Sequence, residues 1–220
     1  MSRQKARTLR VGAIDTAAAG LVPPLLRHFR EEHPEVVVRL VEDKSVRLLP
    51  LLLSGRIDVG FVRPPEHRGK ELEFEFLFHE TAVVAVASGH RLARRKRISL
   101  AEIADEPLIV PDRRSRPHSH DLTMRLFAKA GIHPAIAQFA DEKQTIVRLV
   151  ATGFGIAIVP RWASRSAVTG VRYIPLDPED VDGVAMLPLA LAWMRGARDP
   201  LRDLLLQTLH DHIATLSAGA

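Results

Sequence analysis

The chain has 220 residues, with 31 lysines and arginines, 26 aspartates and glutamates and no cysteine, and its net charge is +5. An apolar share of 46% is typical of a globular protein and excludes disorder along the whole chain. Because cysteine is absent, disulfide scaffolds, catalytic thiols and cysteine-based metal sites are excluded as well.

The apolar stretches are too short for a membrane segment. Residues 82–87 form one of the longest, far below the roughly 18 residues that a spanning helix needs. The basic residues 1–7 are followed by a short alternating pattern rather than by the apolar region of a secretory signal. We therefore expect a cytoplasmic protein that makes no membrane contact.

Strand and helix patterns alternate in the first part of the chain. Short apolar runs predict strands at residues 8–14, 36–41 and 57–62, and helical patterns at 21–33 and 46–54 lie between them. Connections this short favour parallel strands with right-handed crossovers. Pro50 falls inside the second predicted helix, where it removes a backbone donor.

The same alternation continues to the end of the chain. Further strands are predicted at residues 74–78, 82–88, 108–111, 136–139, 156–159, 171–176 and 189–194. Further helices are predicted to begin at a capping box from Ser99 to Glu102, at Asp121, at a cap on Asp141 and at the Asp199-Pro200 pair.

These elements predict an α/β protein with two lobes. The first lobe comprises residues 8–86 and 189–216 and the second residues 87–188, because the last strand and helix have no third block to join. Two crossing strands would link the lobes and leave a cleft between them. Since ligands of open α/β sheets lie at the carboxyl ends of strands and near helix N-termini, we expect the binding site in that cleft.

No catalytic motif emerges from the chain. The ten histidines are scattered; His118 and His120 are expected in a loop without a supporting carboxylate cluster, so no metal or other cofactor is predicted. There is no nucleophile elbow, phosphate-binding loop or zinc-binding helix motif. Gly153 and Gly155 are expected to serve a helix C-cap and a tight turn rather than a dinucleotide.

Polar residues follow the predicted strands where helices begin. The candidate binding residues at these points are Thr16, Ser45, Arg63 with the following Pro64, Arg113, Pro117, His118, Ser119, Asp141 and Thr145. Hydroxyl groups and free N–H groups at helix starts can hold a carboxylate, and arginine matches carboxylate geometry. For Ser45 and Asp141, plain helix capping without any ligand is the alternative. The basic cluster of Arg113, Arg114, Arg116 and His118 favours an anionic ligand.

Several segments, in the right order, resemble one family. Residues 9–14 (LRVGAI), 21–29 (LVPPLLRHF) and 53–60 (LSGRIDVG) are similar to the opening of the effector domain of LysR-type transcriptional regulators. Residues 88–93 (SGHRLA) resemble the family's GHPLA segment, with Arg91 in place of the usual proline. The most specific match is residues 149–160 (LVATGFGIAIVP), which resemble the family's VAAGLGIALVP stretch.

The resemblance covers residues 8–215 and implies the two-lobed fold of type 2 periplasmic-binding proteins. It implies a small inducer in the cleft, contacted by Thr16, Ser45, Arg63 with Pro64, the loop around Pro117 to Ser119, and Asp141 to Thr145. In the family, such binding changes the geometry of a tetramer and its hold on promoter DNA. Effector domains there pair side by side, so we expect a dimer. The apolar residues 21–29 are the candidate face, with a place in the core as the alternative.

The family's N-terminal winged helix–turn–helix is not found in this sequence, so we expect an excised domain rather than a natural stand-alone protein, and no specific operator binding. The predicted function is therefore the effector-sensing part of a transcription regulator. The predicted ligand is a small aromatic or aliphatic carboxylate. The alternatives are a solute-binding protein of the same fold, which would need a secretion signal, and an enzyme on that fold, which would need a convergent acid, base or nucleophile.

Overall fold

The computed structural model of the protein describes residues 7–67, 69–166 and 168–220. The strands are β1 (Arg7–Ala13), β2 (Val36–Glu42), β3 (Val59–Val62), β4 (Leu72–Glu80), β5 (Ala82–Ala87), β6 (Leu108–Pro111), β7 (Ile136–Ala140), β8 (Ala157–Pro160), β9 (Val171–Pro175) and β10 (Leu187–Met194). The α-helices are α1 (Asp15–Gly20), α2 (Val22–Glu32), α3 (Ser45–Leu53), α4 (Pro117–Lys129), α5 (Lys143–Ala151), α6 (Pro178–Val181) and α7 (Pro200–Leu216). Short 3₁₀ helices lie at Ala101–Ile103 and Arg161–Arg165.

The chain forms two compact units. The first contains the described residues up to Phe78 together with Pro188–Ala220, and the second contains His79–Leu187. The sequence placed the first boundary after residue 86 instead. The division falls earlier because β5 pairs with β8 and β9, both strands of the second unit.

The first unit is built on a five-stranded sheet in the order β2-β1-β3-β10-β4. β1 is parallel to β2 and β3, and β10 is antiparallel to β3. The parallel arrangement predicted from the short connections is therefore confirmed. The last strand and helix also return to the first unit as predicted: α7 packs on α2, where Thr208 donates to Glu32 and the His28 and His212 rings stack at 3.9 Å.

The apolar face of α2 is core. Leu21, Val22, Leu25 and Phe29 are fully buried, as are Leu9 and Val11 of β1. Of the two alternatives for the apolar side chains of residues 21–29, an exposed dimer face is therefore wrong and the core is confirmed. These side chains instead fill the space between the helix and the sheet, since an amphipathic helix buries its apolar stripe.

The second unit contains an antiparallel sheet in the order β8-β5-β9 and a parallel pair, β6 and β7. A bridge between Leu108 and Ile156 joins the two sets of strands. Buried side chains such as Val84, Leu126, Phe127 and Ile158 form its main apolar cluster.

Local signals in the sequence mostly predicted the helix ends. Asp199 caps α7 by accepting hydrogen bonds from the N–H groups of Leu201 and Arg202 at 3.0 and 3.2 Å, and Ser99 and Glu102 exchange the bonds of a capping box. Pro50 lies exposed inside α3 without ending that helix. The sequence missed α1 and α6.

The start of α4 was predicted wrongly. This helix begins at Pro117, not Asp121, so His118 and His120 lie on a helix rather than in a loop. Pro117 occupies the first helical position, where its missing N–H removes no intrahelical bond. In the described part of the chain, no helix is long and apolar enough to cross a membrane.

Candidate functional site

Three of the predicted residues meet at one edge of the first unit's sheet. The Arg63 guanidinium donates from Nη2 to the Thr16 hydroxyl at 3.3 Å and from Nη1 to the Pro188 carbonyl at 3.0 Å. The Arg63 backbone N–H donates to the Ser45 hydroxyl at 2.9 Å. We call Thr16, Ser45 and Arg63 the Arg63 cluster.

The topology explains why these residues come together. Ala13 lies beside Glu42 of β2 and beside Phe61 of β3, so the carboxyl ends of three adjacent strands are level. Thr16, Ser45 and Arg63 each come shortly after one of those ends. Because adjacent parallel strands end at the same edge of a sheet, residues far apart in the chain become neighbours there.

The Arg63 cluster is largely shielded from water. Thr16 is 2% exposed and Arg63 is 7% exposed. Lys44, which the sequence reasoning did not select, is 8% exposed and directly precedes Ser45. A buried guanidinium beside two hydroxyl groups, with a buried lysine one residue before Ser45, makes this edge suited to a small anion, because charge interactions strengthen as water is excluded.

Ser45 does not cap α3 as predicted. Lys44 occupies the N-cap position, and Ser45 is the first helical residue. Its hydroxyl accepts from the Arg63 N–H instead of from its own helix. Pro64, which follows Arg63 and is also buried, restricts Arg63 to an extended backbone.

Asp141, another predicted residue, contacts a neighbouring segment within the second unit. The Ser115 hydroxyl donates to Asp141 Oδ1 at 2.8 Å, and Arg116 Nε donates to the Asp141 carbonyl at 2.7 Å. These contacts join the segments that follow β6 and β7, which are parallel neighbours. Asp141 was predicted to cap α5, but Glu142 holds the N-cap position, and the Asp141 carboxylate binds Ser115 instead.

Three arginines that follow β6 face carboxylates. Arg113 Nε lies 2.8 Å from Asp121 Oδ1, Arg114 Nε lies 3.4 Å from Asp112 Oδ1, and Arg116 Nη2 lies 3.6 Å from Glu142 Oε2. The Arg114 backbone N–H and, to a smaller extent, the Arg114 side chain donate hydrogen bonds to the Asp112 carboxylate. These bonds hold the pKa of the Asp112 carboxyl below its usual value. The positive charge that the sequence indicated here is therefore largely balanced locally.

The remaining predicted residues lie in the first turns of two helices. Pro117, His118 and Ser119 are half-buried at the start of α4, and the Ser119 carbonyl accepts from the Thr123 hydroxyl at 3.0 Å. Thr145 is exposed near the start of α5. No group of three histidines, aspartates or glutamates among the described residues could hold a metal ion.

Two buried lysines at helix starts were not predicted from the sequence. Lys44 and Lys143 lie where α3 and α5 begin and are 8% and 7% exposed. Lys44 directly precedes α3, and Lys143 is the first residue of α5. Each helix follows a predicted strand, which is also the position that pointed to Ser45 and Asp141. The helix dipole does not point to lysine there, since a cation opposes the dipole at this end.

The sequence and the fold both match characterised proteins. Residues 2–214 match the family described as LysR substrate binding domain. The HTH-type transcriptional regulator TtuA of Agrobacterium vitis is 56% identical over 212 residues, which cover 96% of this chain and 69% of TtuA. The HTH-type transcriptional regulator AlsR of Bacillus subtilis is 30% identical over 168 residues, which cover 76% of this chain and 55% of AlsR. The chain thus spans only part of the length of each regulator.

The fold also matches a solved structure with a bound effector. The BenM effector binding domain with its effector benzoate superimposes with a TM-score of 0.80 at 27% identity, covering 95% of this chain and 93% of the BenM domain.

Proposed function

Because the chain belongs to the LysR substrate-binding domain family, we propose that it is the effector-sensing part of a DNA-binding transcription regulator. The observation that carries the proposal is the likeness, over nearly the whole chain, to a domain whose effector is benzoate. We propose that the effector of this chain is also a small carboxylate. The role is binding rather than catalysis.

The Arg63 cluster supports a carboxylate ligand. Arg63 and Lys44 supply positive charge in a region that excludes water, and the Thr16 and Ser45 hydroxyls lie within hydrogen-bond reach of Arg63. A carboxylate can accept from hydroxyl and guanidinium donors together, and such charge-assisted bonds are stronger than neutral ones. The predicted contacts from Arg113, Pro117, His118, Ser119, Asp141 and Thr145, and the predicted cleft, stay predictions.

Thermal unfolding with a ligand panel tests the proposal. The panel contains small carboxylates, benzoate among them, with sugars, amino acids and inorganic oxyanions. A ligand at one hundred times its dissociation constant adds about 2.7 kcal/mol to the free energy of unfolding, which is a readily measured shift. We expect carboxylates alone to shift the midpoint, and stabilisation by sugars alone would contradict the ligand class.

Variants of the cluster make this test specific. The Thr16→Val and Ser45→Ala double variant should lose most of the carboxylate-dependent shift. Its matched control, Thr215→Val with Ser217→Ala, changes the same residue types near the end of α7 and should keep the shift. Equal shifts in both variants would show that the ligand binds elsewhere.

In this proposal, a helix–turn–helix domain performs the specific DNA binding. The names of both relatives, HTH-type transcriptional regulators, refer to such a domain. We propose that the protein acts in the cytoplasm, because that is where it would regulate promoters. The alternatives of a solute-binding protein and of an enzyme on this fold find no support among these relatives, which are transcriptional regulators by name.

Self-association is part of the same proposal. Val37, Leu40 and Val41 of the edge strand β2 are 45%, 44% and 36% exposed. An exposed apolar edge strand invites pairing with another chain. We therefore place the dimer contact on β2 of each copy rather than on the buried residues 21–29.

A further inference from the structure

A groove of about 730 Å³ opens on the first unit, where β4 begins and β10 ends. Its lining includes two aromatic rings, those of Phe74 and Trp193, and two cationic side chains, those of Lys70 and Arg195. Small-ligand sites typically have volumes of roughly 300–1,000 Å³, apolar walls and a few polar groups. The groove has this size and composition.

The Trp193 ring forms a fixed wall of the groove. Its indole N–H donates to Glu73 Oε2 at 2.9 Å, and the Arg202 guanidinium carbon lies 5.4 Å from the ring centroid. Arg202 is itself buried and donates to Asp203 and to the Ala197 carbonyl. Because the ring is held on two sides, a ligand that stacks on it loses little binding free energy to the ordering of this side chain.

The two cations of the groove are available to a ligand. Among the described residues, neither Lys70 nor Arg195 pairs with a carboxylate, and both are exposed. The Arg195 guanidinium makes only a long contact of 3.5 Å, from Nη2 to the Leu72 carbonyl. The carboxylate that lines the groove, Glu73, is already bonded to the indole N–H. The groove therefore favours an anion, and a guanidinium suits a carboxylate in particular.

The groove is separate from the Arg63 cluster. Pro188, which accepts from Arg63, and Trp193 lie near opposite ends of β10. At about 3.3 Å per residue, the backbone between them spans roughly 17 Å. One small ligand cannot occupy both places.

We infer that this groove is a second ligand site and that it takes a flat aromatic monocarboxylate. The ring stacks on Trp193 beside Phe74, and the carboxylate pairs with Arg195 and Lys70. The inference needs no role for the Arg63 cluster, so it stands or falls independently of the proposed effector site.

The two indole N–H signals of the isotope-labelled protein test this inference by NMR. The chain has two tryptophans, and the second, Trp162, is 1% exposed in the second unit. The Trp193→Phe variant assigns the signals. On titration with benzoate, the Trp193 signal should shift saturably with a dissociation constant of about 1 mM, while the Trp162 signal stays in place. Benzamide, which has the same shape without the charge, should bind at least about threefold more weakly.

Variants distinguish binding in the groove from other causes of a change in the Trp193 signal. Lys70→Gln with Arg195→Gln should weaken benzoate binding at Trp193 by about threefold or more, as expected for exposed ion pairs. Arg198→Gln, a nearby exposed arginine outside the groove lining, should leave it unchanged. Arg63→Lys should also leave the Trp193 titration unchanged. Any one of four results would overturn the inference. These are a Trp193 signal that does not move with benzoate, equal binding of benzamide, undiminished benzoate binding in the Lys70 and Arg195 double variant, and loss of the shift in Arg63→Lys.

Discussion

Arg63 Nη2 lies 3.3 Å from the Thr16 hydroxyl oxygen, although the two residues are 47 positions apart in the chain. The same guanidinium reaches the carbonyl of Pro188, 125 positions away. Arg63 therefore ties the segments after β1 and β3 to the start of β10. A residue placed in this way contributes both to the stability of the first unit and to the proposed carboxylate site.

Arg63→Lys should lower both stability and ligand affinity. The lysine keeps the charge but lacks the planar fork, so one of the two neutral acceptors loses its donor. A buried group left unpaired costs about 1–3 kcal/mol, which urea unfolding measures. Arg198→Lys, at an exposed position, is the matched control and should stay within about 0.5 kcal/mol of the original chain. An Arg63 variant as stable as this control would contradict the structural role.

Gly155→Ala should destabilise the second unit strongly. A Cβ at this position would lie 2.5 Å from the Pro107 carbonyl oxygen, which is backbone and cannot move aside. We expect a loss of about 2 kcal/mol or more in the free energy of unfolding. Gly153→Ala meets no neighbour, but its φ of +76° costs about 1–2 kcal/mol for a side chain.

Gly89→Ala is the control for both glycine variants, because a Cβ there meets nothing within 4 Å and the φ is not positive. We expect a change within about 0.5 kcal/mol. The order of midpoints in thermal unfolding should be Gly89→Ala highest and Gly155→Ala lowest. The reverse order would show that the turn after α5 adapts freely.

Thr208→Val should flatten the acid dependence of stability. The hydrogen bond from the Thr208 hydroxyl, aided by His212, lowers the pKa of the Glu32 carboxyl. A lowered pKa in the folded state means that the unfolded chain binds more protons, so this stabilisation is present above the unfolded pKa and is lost as the pH falls through the folded value. Without the hydroxyl, the pKa of Glu32 returns toward its usual value.

Urea unfolding at a series of pH values between about 3 and 6 measures this effect as the slope of free energy against pH. Thr215→Val, an exposed threonine on the same helix, is the control and should keep the original slope. If Thr208→Val keeps that slope as well, the hydrogen bond to Glu32 does not contribute to the pH dependence.

Val37→Glu with Leu40→Glu should dissociate the dimer that we propose. Two carboxylates on β2 would place like charges opposite one another where the apolar edges meet. Sedimentation velocity should then report monomer mass at concentrations where the unaltered chain sediments as a dimer. Leu53→Glu, at a position 49% exposed at the end of α3, should remain dimeric. A dimer that persists in the β2 variant would place the contact elsewhere.

Several features could be predicted from local sequence. The strand runs, the caps on α7 and the helix end at Gly153 depend on neighbouring residues alone, and all are present in the structure. The grouping of Thr16, Ser45 and Arg63 also followed from the prediction of parallel strands. Errors arose where two interpretations were locally equivalent, as at Ser45 and Asp141, which look like caps but bind residues from other segments.

The sequence by itself determined the α/β class, the parallel order of the first strands and the family, because periodicity, turn residues and motifs are local properties of the chain. Only the tertiary structure decided which faces are buried and which charges are balanced. In the sequence, residues 21–29 look equally suited to an interface and to a core, and Arg113 looks unpaired. In the structure, the apolar side chains of residues 21–29 are core, and Asp121 lies 2.8 Å from Arg113. Burial and charge pairing depend on what the rest of the chain brings alongside, and no local pattern contains that information.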